Sequence, residues 1–414
     1  MSPLTLLKYL CGSRAAIQRL ASTRWSLAIG AALVLTASLA RNYDGKYLPG
    51  EWESLLHGFG VSIPNALLLY SIFWLMSLWR GKDRPRFFHG YLAFLGLFWL
   101  TSPMAWLYAV PYERFLTPLG AIEANVRTLA FVSIWRVALM ARVLSVLWQT
   151  PFIATCIVVA LYGDVLVFGA ASMMEAPLMD FMGGLQHSPE DAYLAGIQFS
   201  TVLLSVLASP VLLIASLVSL RWLRPTWSPV EQADSARPTH GLIALVVVAL
   251  VAWVPLLWWM QPEQRNRYHA ETLIRSGQLG EALNYMAERP REAFPPIWDP
   301  PPRTAYRDHA PDATAMEVAL REHRGDDWAA RLYFRKHLKI TLRYLANRYD
   351  DPKGAAEMLK DSTDLPDEVR NGLYFHLSHD PSFSDPDRAA IREQLDKHRT
   401  KDEGAFFGDD PPAK

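Results

Sequence analysis

Two charges stand where the chain is otherwise apolar: Arg136 and Asp164. Arg136 lies 15 residues before Pro151, and Asp164 lies 13 after it. If both flanks are helical, a rise of about 1.5 Å per residue puts the two charges about 22 Å and about 20 Å from the turn at the proline. They then sit level on neighbouring antiparallel helices. A charge inside a membrane usually faces the bundle interior and finds a partner, so the expectation is an Arg136–Asp164 pair. Such a pair either locks two helices together or serves as a station in a proton or ion relay. The lock is the favoured reading, because relays use chains of acids and histidines and one pair is not a chain. Arg142 is nearer the turn, where its long stem can carry the guanidinium toward headgroups. Arg136 and Arg142 are six residues apart and point to different faces, so they do not form a voltage-sensor stripe.

The remaining chemistry-bearing residues are sparse. His376 and His379, with Asp380, share a helical face at i, i+3 spacing, but two neighbouring ligands are too few for a metal site. Cys11 and Cys156 are too few for a disulfide framework. No HExxH, zinc spacing or phosphate loop is present. His57, His89, Glu123 and Glu175 are scattered near the ends of apolar runs, where an interfacial position accounts for them. The sequence therefore points to no catalytic residue, no cofactor and no metal.

The elements that must hold these residues are long apolar runs. The chain is 51% hydrophobic and 12% aromatic. Runs near 25–40, 57–79, 87–110, 127–150, 152–174, 197–220 and 241–260 read as membrane spans, each about 16 to 24 residues against the roughly 20 that a bilayer needs. Only Gln149, Thr150 and Pro151 separate the fourth run from the fifth, so those two helices are antiparallel neighbours. Pro103 should break the third run, and Pro210 should kink the sixth. Thirteen of the fifteen tryptophans precede residue 261, as interface anchors would. The fold class is all-α: a polytopic transmembrane bundle of about seven spans followed by a helical soluble domain.

Around the spans, residues 1–24 carry Lys8, Arg14, Arg19 and Arg24 and no acid, and read as a basic cytoplasmic end or an amphipathic helix lying on lipid. For seven spans, the short loops on the N-terminal side hold eleven Lys and Arg, and those on the other side hold three. The positive-inside rule then places the N-terminus in the cytoplasm and the C-terminal domain outside.

The domain at 261–400 opens with PEQRNRYHAETLIRSGQLGEALNYMAER, a helix, a turn at Ser276-Gly277 and a second helix. Leu273, Gly277, Ala282 and Met286 fall where a tetratricopeptide-type unit places its packing and turn residues, and the stretch resembles one such unit. His269 departs from that pattern, and no second copy follows at 34 residues. The resemblance implies a helical hairpin and a partner-binding surface. A proline-rich segment, 290–311, surrounds Trp298, which either packs back or docks a partner. A basic amphipathic helix is expected from Trp328 to Arg348, and 401–414 reads as a disordered tail. The loop at Arg41–Asp44 and the Trp135–Leu139 run resemble bacterial multi-pass membrane proteins, which implies the cytoplasmic membrane and no activity.

Three function classes follow. The first is a non-enzymatic membrane-anchored scaffold or assembly factor, with the bilayer and one protein as partners and no nucleic acid. The second is a transporter or channel using Arg136 and Asp164. The third is a membrane-embedded enzyme, for which the sequence offers no constellation.

Overall fold

The computed structural model describes residues 2–23, 25–80, 84–173, 189–227, 239–296, 298–301, 313–323, 327–333 and 336. The loop at 175–188, most of the expected basic helix to Arg348, the His376/His379/Asp380 cluster and the tail at 401–414 lie outside the described residues. Among the described residues the regular structure is helical, with no strand. The chain divides into two units: Met1–Tyr268 with Phe294–Trp298, and His269–Ala293 with Asp299–Lys414.

The first unit is built from α1 (Pro3–Leu10), α2 (Arg14–Ala21), α3 (Trp25–Asn42), α4 (His57–Arg80), α5 (Phe87–Trp99), α6 (Pro118–Leu147), α7 (Phe152–Met173), α8 (Pro189–Ser219), α9 (His240–Val251) and the start of α10 (Trp253–Arg275). Among the described residues, six helical stretches are long and apolar enough to cross a membrane, or seven if the sharply bent pair α2–α3 counts as one. Leu203, Leu204, Leu207, Val211 and Ile214 of α8 and Val247, Val248 and Val251 of α9 are exposed. Water would penalise so continuous an apolar surface. Hydrocarbon does not, and a helix meets its backbone hydrogen-bonding needs internally.

The central hairpin is tight, as its sequence requires. α6 ends at Leu147 and α7 begins at Phe152. Gln149 takes the left-handed conformation with φ 48, and the Thr150 amide donates back to the Ser145 carbonyl at 3.0 Å. That bond closes a Schellman turn, in which a residue just past the helix end must be left-handed. α6 starts nine residues before the expected 127. Thr117 caps it, accepting from the Gly120 amide at 3.3 Å, and Pro118 occupies its first position.

Proline also breaks the third apolar run. α5 stops at Trp99, and 3-10 turns continue over Ser102–Ala109. α3 crosses α5 where both carry glycine, and a Cβ on Gly96 would lie 3.0 Å from the Leu27 amide nitrogen. Any side chain there would push the helices apart.

The core shows what the basic N-terminal segment does. α1 and α2 pack into the bundle rather than lying on its surface. Leu6, Tyr9, Ile17 and Leu20 are buried in one cluster with Leu33, Tyr70, Phe73, Phe94, Leu144 and Trp148. The Tyr9 hydroxyl donates to the Leu97 carbonyl at 2.6 Å, and Arg142 Nε donates to the Gly12 carbonyl at 3.2 Å. Arg142 therefore braces the turn between α1 and α2.

The second unit holds the end of α10, α11 (Leu279–Ala287) and α12 (Ala313–His323), and residues 328–333 are also helical. α11 packs against α12.

Candidate functional site

The expected Arg136–Asp164 ion pair does not form. The level is right and the rotation is not. A Cβ on Gly163 would lie 3.7 Å from Val137 Cγ2, so the residues next to the two charges face each other across the α6–α7 contact. One residue further along each helix turns the side chain by about 100°. Asp164 is thereby directed at α8, where Ser205 Oγ donates to Oδ1 at 2.8 Å and Ser209 Oγ donates to Oδ2 at 2.6 Å. The serines are i, i+4 neighbours on one face of α8. Both carboxylate oxygens are thus satisfied without a cation, and the group ties α7 to α8. Arg136 is directed at α5, with its guanidinium carbon 5.5 Å above the Phe98 ring.

A second polar constellation joins stretches far apart in the chain. The loop after α3 is gripped by the polar half of α10. Gln261 accepts from the Leu48 amide at 2.9 Å and donates to the carbonyls of Tyr43 and Lys46 at 3.0 and 2.9 Å. Gln264 donates to the Asp44 carbonyl. The Arg267 guanidinium is buried, bonded to Gln264 Oε1 at 2.8 Å and paired with Glu51. Lys46 meets the same carboxylate at 3.0 Å, and the Tyr47 amide donates to it at 2.8 Å. Nearby, Arg114 pairs with Glu263 at 2.6 Å and lies 4.9 Å over the Trp259 ring.

The carboxylates in this clamp differ in their electrostatics. Burial acts to raise the Glu51 pKa, but the Tyr47 amide, Lys46 and Arg267 outweigh it and hold the group below its ordinary value. Asp44 has no comparable donors. Burial, then the neighbouring Glu113, pushes it from 3.8 up to about 6. Burial likewise pushes the Tyr43 phenol up to about 12, and its hydroxyl donates to the Ala109 carbonyl at 2.8 Å.

In the second unit, the resemblance-based residues divide by burial. Ala282 and Met286 are buried packing residues of the hairpin, not surface. Leu273 is half-buried, and Gly277 is exposed at the turn with φ 81. Within the first unit, Trp298 is also buried, stacked on Phe294 with ring centroids 5.0 Å apart. Of the expected partner surface, only the Gly277 turn is open. It borders a groove of about 340 Å³ lined by Gly277, Gln278, Glu281, Asn284, Glu322 and His323. His323 is held in place there, its Nδ1 2.8 Å from Asn284 Oδ1 and its Nε2 2.5 Å from Asp327 Oδ2. Asp327 also caps the helix at 328–333 through the amides of Ala329 and Ala330, at 2.9 and 3.0 Å.

Ser205, Ser209, Gln261, Gln264 and Arg267 were not singled out by sequence. The serine pair had a usable signal, two hydroxyls at i, i+4 on an apolar helix. The clamp had none, because its halves are separated by more than two hundred residues. Among the described residues, no trio of His, Cys, Asp and Glu side chains is placed to hold a metal ion. No protein-family model, curated protein or solved structure matches the chain.

Proposed function

We propose that the protein is a non-enzymatic, membrane-anchored scaffold or assembly factor of a bacterial cytoplasmic membrane, and that its helical C-terminal unit binds a protein partner. In this reading α2–α3 is the first of seven crossings, the N-terminus is cytoplasmic and the C-terminal unit is extracytoplasmic. The loop charge asymmetry supports the orientation. The observation that carries the partner reading is the groove beside Gly277, where polar side chains converge on an open turn of the hairpin.

A transport reading draws less support from these contacts. A direct relay between Arg136 and Asp164 needs the two groups in contact, and they face different neighbours. Asp164 is engaged by two hydroxyls, and large aromatic side chains pack the core between α1, α4, α5 and α6.

The test is site-directed photo-crosslinking of the full-length protein in cells. A crosslinking residue at exposed Gln278 should give one discrete protein adduct. The same residue at exposed Val211, on the apolar face of α8, should give lipid adducts only. No protein adduct from positions 278 and 281, together with an ion flux in vesicles that Asp164→Asn abolishes, would replace the scaffold with a transporter.

A further inference from the structure

Arg136 lies within an apolar bundle, yet no carboxylate among the described residues stands beside it. The ionisable groups within its electrostatic reach are Tyr108, Tyr9 and Arg41. Tyr108 is within reach of both arginines, and the Arg41 guanidinium carbon is 5.8 Å over its ring. The Tyr9 hydroxyl is already used on the Leu97 carbonyl. The 3-10 segment that carries Tyr108 packs against both α3 and α6, which carry Arg41 and Arg136, so two cations and a phenol lie on adjoining elements. Gathering like charges beside apolar side chains is unfavourable unless a counter-charge joins them. The cation–π contacts with Phe98 and Tyr108 supply only part of that compensation.

Arg41 is exposed, and Tyr108 and Arg136 are half-buried. A guanidinium fork matches the geometry of a phosphate oxyanion, donating to two oxygens at once, and a tyrosine hydroxyl adds a further donor. We propose that Arg41, Tyr108 and Arg136 form a binding site for a phosphate oxyanion. The phosphate is supplied either by a phospholipid headgroup or by free phosphate. The site is independent of the groove in the C-terminal unit and does not rest on the scaffold reading.

The test uses full-length protein, purified in detergent and stripped of lipid. It is titrated with phosphatidylglycerol in mixed micelles and, separately, with inorganic phosphate. Thermal unfolding and native mass spectrometry are the readouts. The wild type should show saturable stabilisation and one retained ligand. Arg136→Gln and Arg41→Gln should each weaken apparent affinity about tenfold, the loss of one charge-assisted contact. Arg127→Gln should leave it unchanged, since Arg127 is exposed and pairs with Glu123 at 2.9 Å. Saturation by phosphatidylglycerol alone identifies a headgroup, and saturation by inorganic phosphate identifies the free ion. A response to neither, or an equal response in all variants, overturns the site. Should Arg136→Gln fail to fold, Arg41→Gln decides, and undiminished affinity in that variant overturns the proposal.

Discussion

Two arginines, Arg136 and Arg267, are embedded in the first unit, and the protein treats them differently. Arg267 is surrounded by acceptors. Glu51 supplies charge, Gln264 supplies a carbonyl, and Gln261 fixes the loop that carries Glu51. Arg136 has aromatic rings and another arginine for neighbours. The first environment is complete within the chain and holds a loop to a helix. The second has no anion among the described residues. A charge completed by its own neighbours is structural, and the charge without such a neighbour is where we propose that a phosphate binds.

The largest expected effect sits at the completed site. Arg267→Gln leaves the Glu51 carboxylate with only Lys46 and the Tyr47 amide, and should destabilise the protein by about 3 kcal/mol, the scale of a broken buried pair. Adding Glu51→Gln should recover much of that loss, because the two residues act as a unit. Thermal unfolding in one detergent measures the cycle, and a coupling near zero would mean the clamp is ornamental.

The second prediction concerns the separated charges. Arg136→Gln and Asp164→Asn should act additively on stability to within about 0.5 kcal/mol, as residues without a shared partner do. Asp164→Ala should cost more than Asp164→Asn, since asparagine still accepts one serine hydroxyl. Strong compensation between Arg136→Gln and Asp164→Asn would restore the ion pair.

The smallest effect is a pH dependence that separates the two carboxylates of the clamp. Asp44 binds its proton more tightly folded than unfolded, so its ionisation opposes folding. Its cost should be absent below 3.8 and develop as the pH rises to about 6. Glu51 behaves in the opposite sense, because its folded pKa is depressed. Its contribution is present above the ordinary glutamate value and is lost as the pH falls through the folded one. Asp44→Asn should therefore raise stability at neutral pH by about 1 kcal/mol, discounted for the half-exposed site, and flatten the pH profile between roughly 4 and 6. An unchanged profile would remove Asp44 from the account.

The two arginines also show what the sequence could reveal. Hydropathy located the apolar helices, and Pro103 and the Gln149–Pro151 joint located breaks, because these signals are local. Depth along the helices was legible too, since Gly163 does face Val137. Rotation was not. A single step of about 100° decides which neighbour a side chain meets, and residue counting from a turn does not fix it. The packing of α1 and α2 was hidden for another reason. Each has eight residues, too few for periodicity to separate a core-facing helix from a basic surface segment. Ala282 and Met286 lie four apart on one face of α11, and that face is the buried one. The clamp depends on contacts across more than two hundred residues, to which local patterns are blind.

We propose an odd number of crossings, which puts the C-terminal unit on the side opposite the N-terminus, where it meets its partner. Compartment-sensitive reporters at the N-terminus and after Lys414 of the full-length chain test it directly. The N-terminal reporter should register cytoplasm and the C-terminal one the outside. Both reporters registering cytoplasm would mean that one apolar stretch, with the bent α2–α3 pair the first suspect, does not cross, and would contradict an extracytoplasmic scaffold.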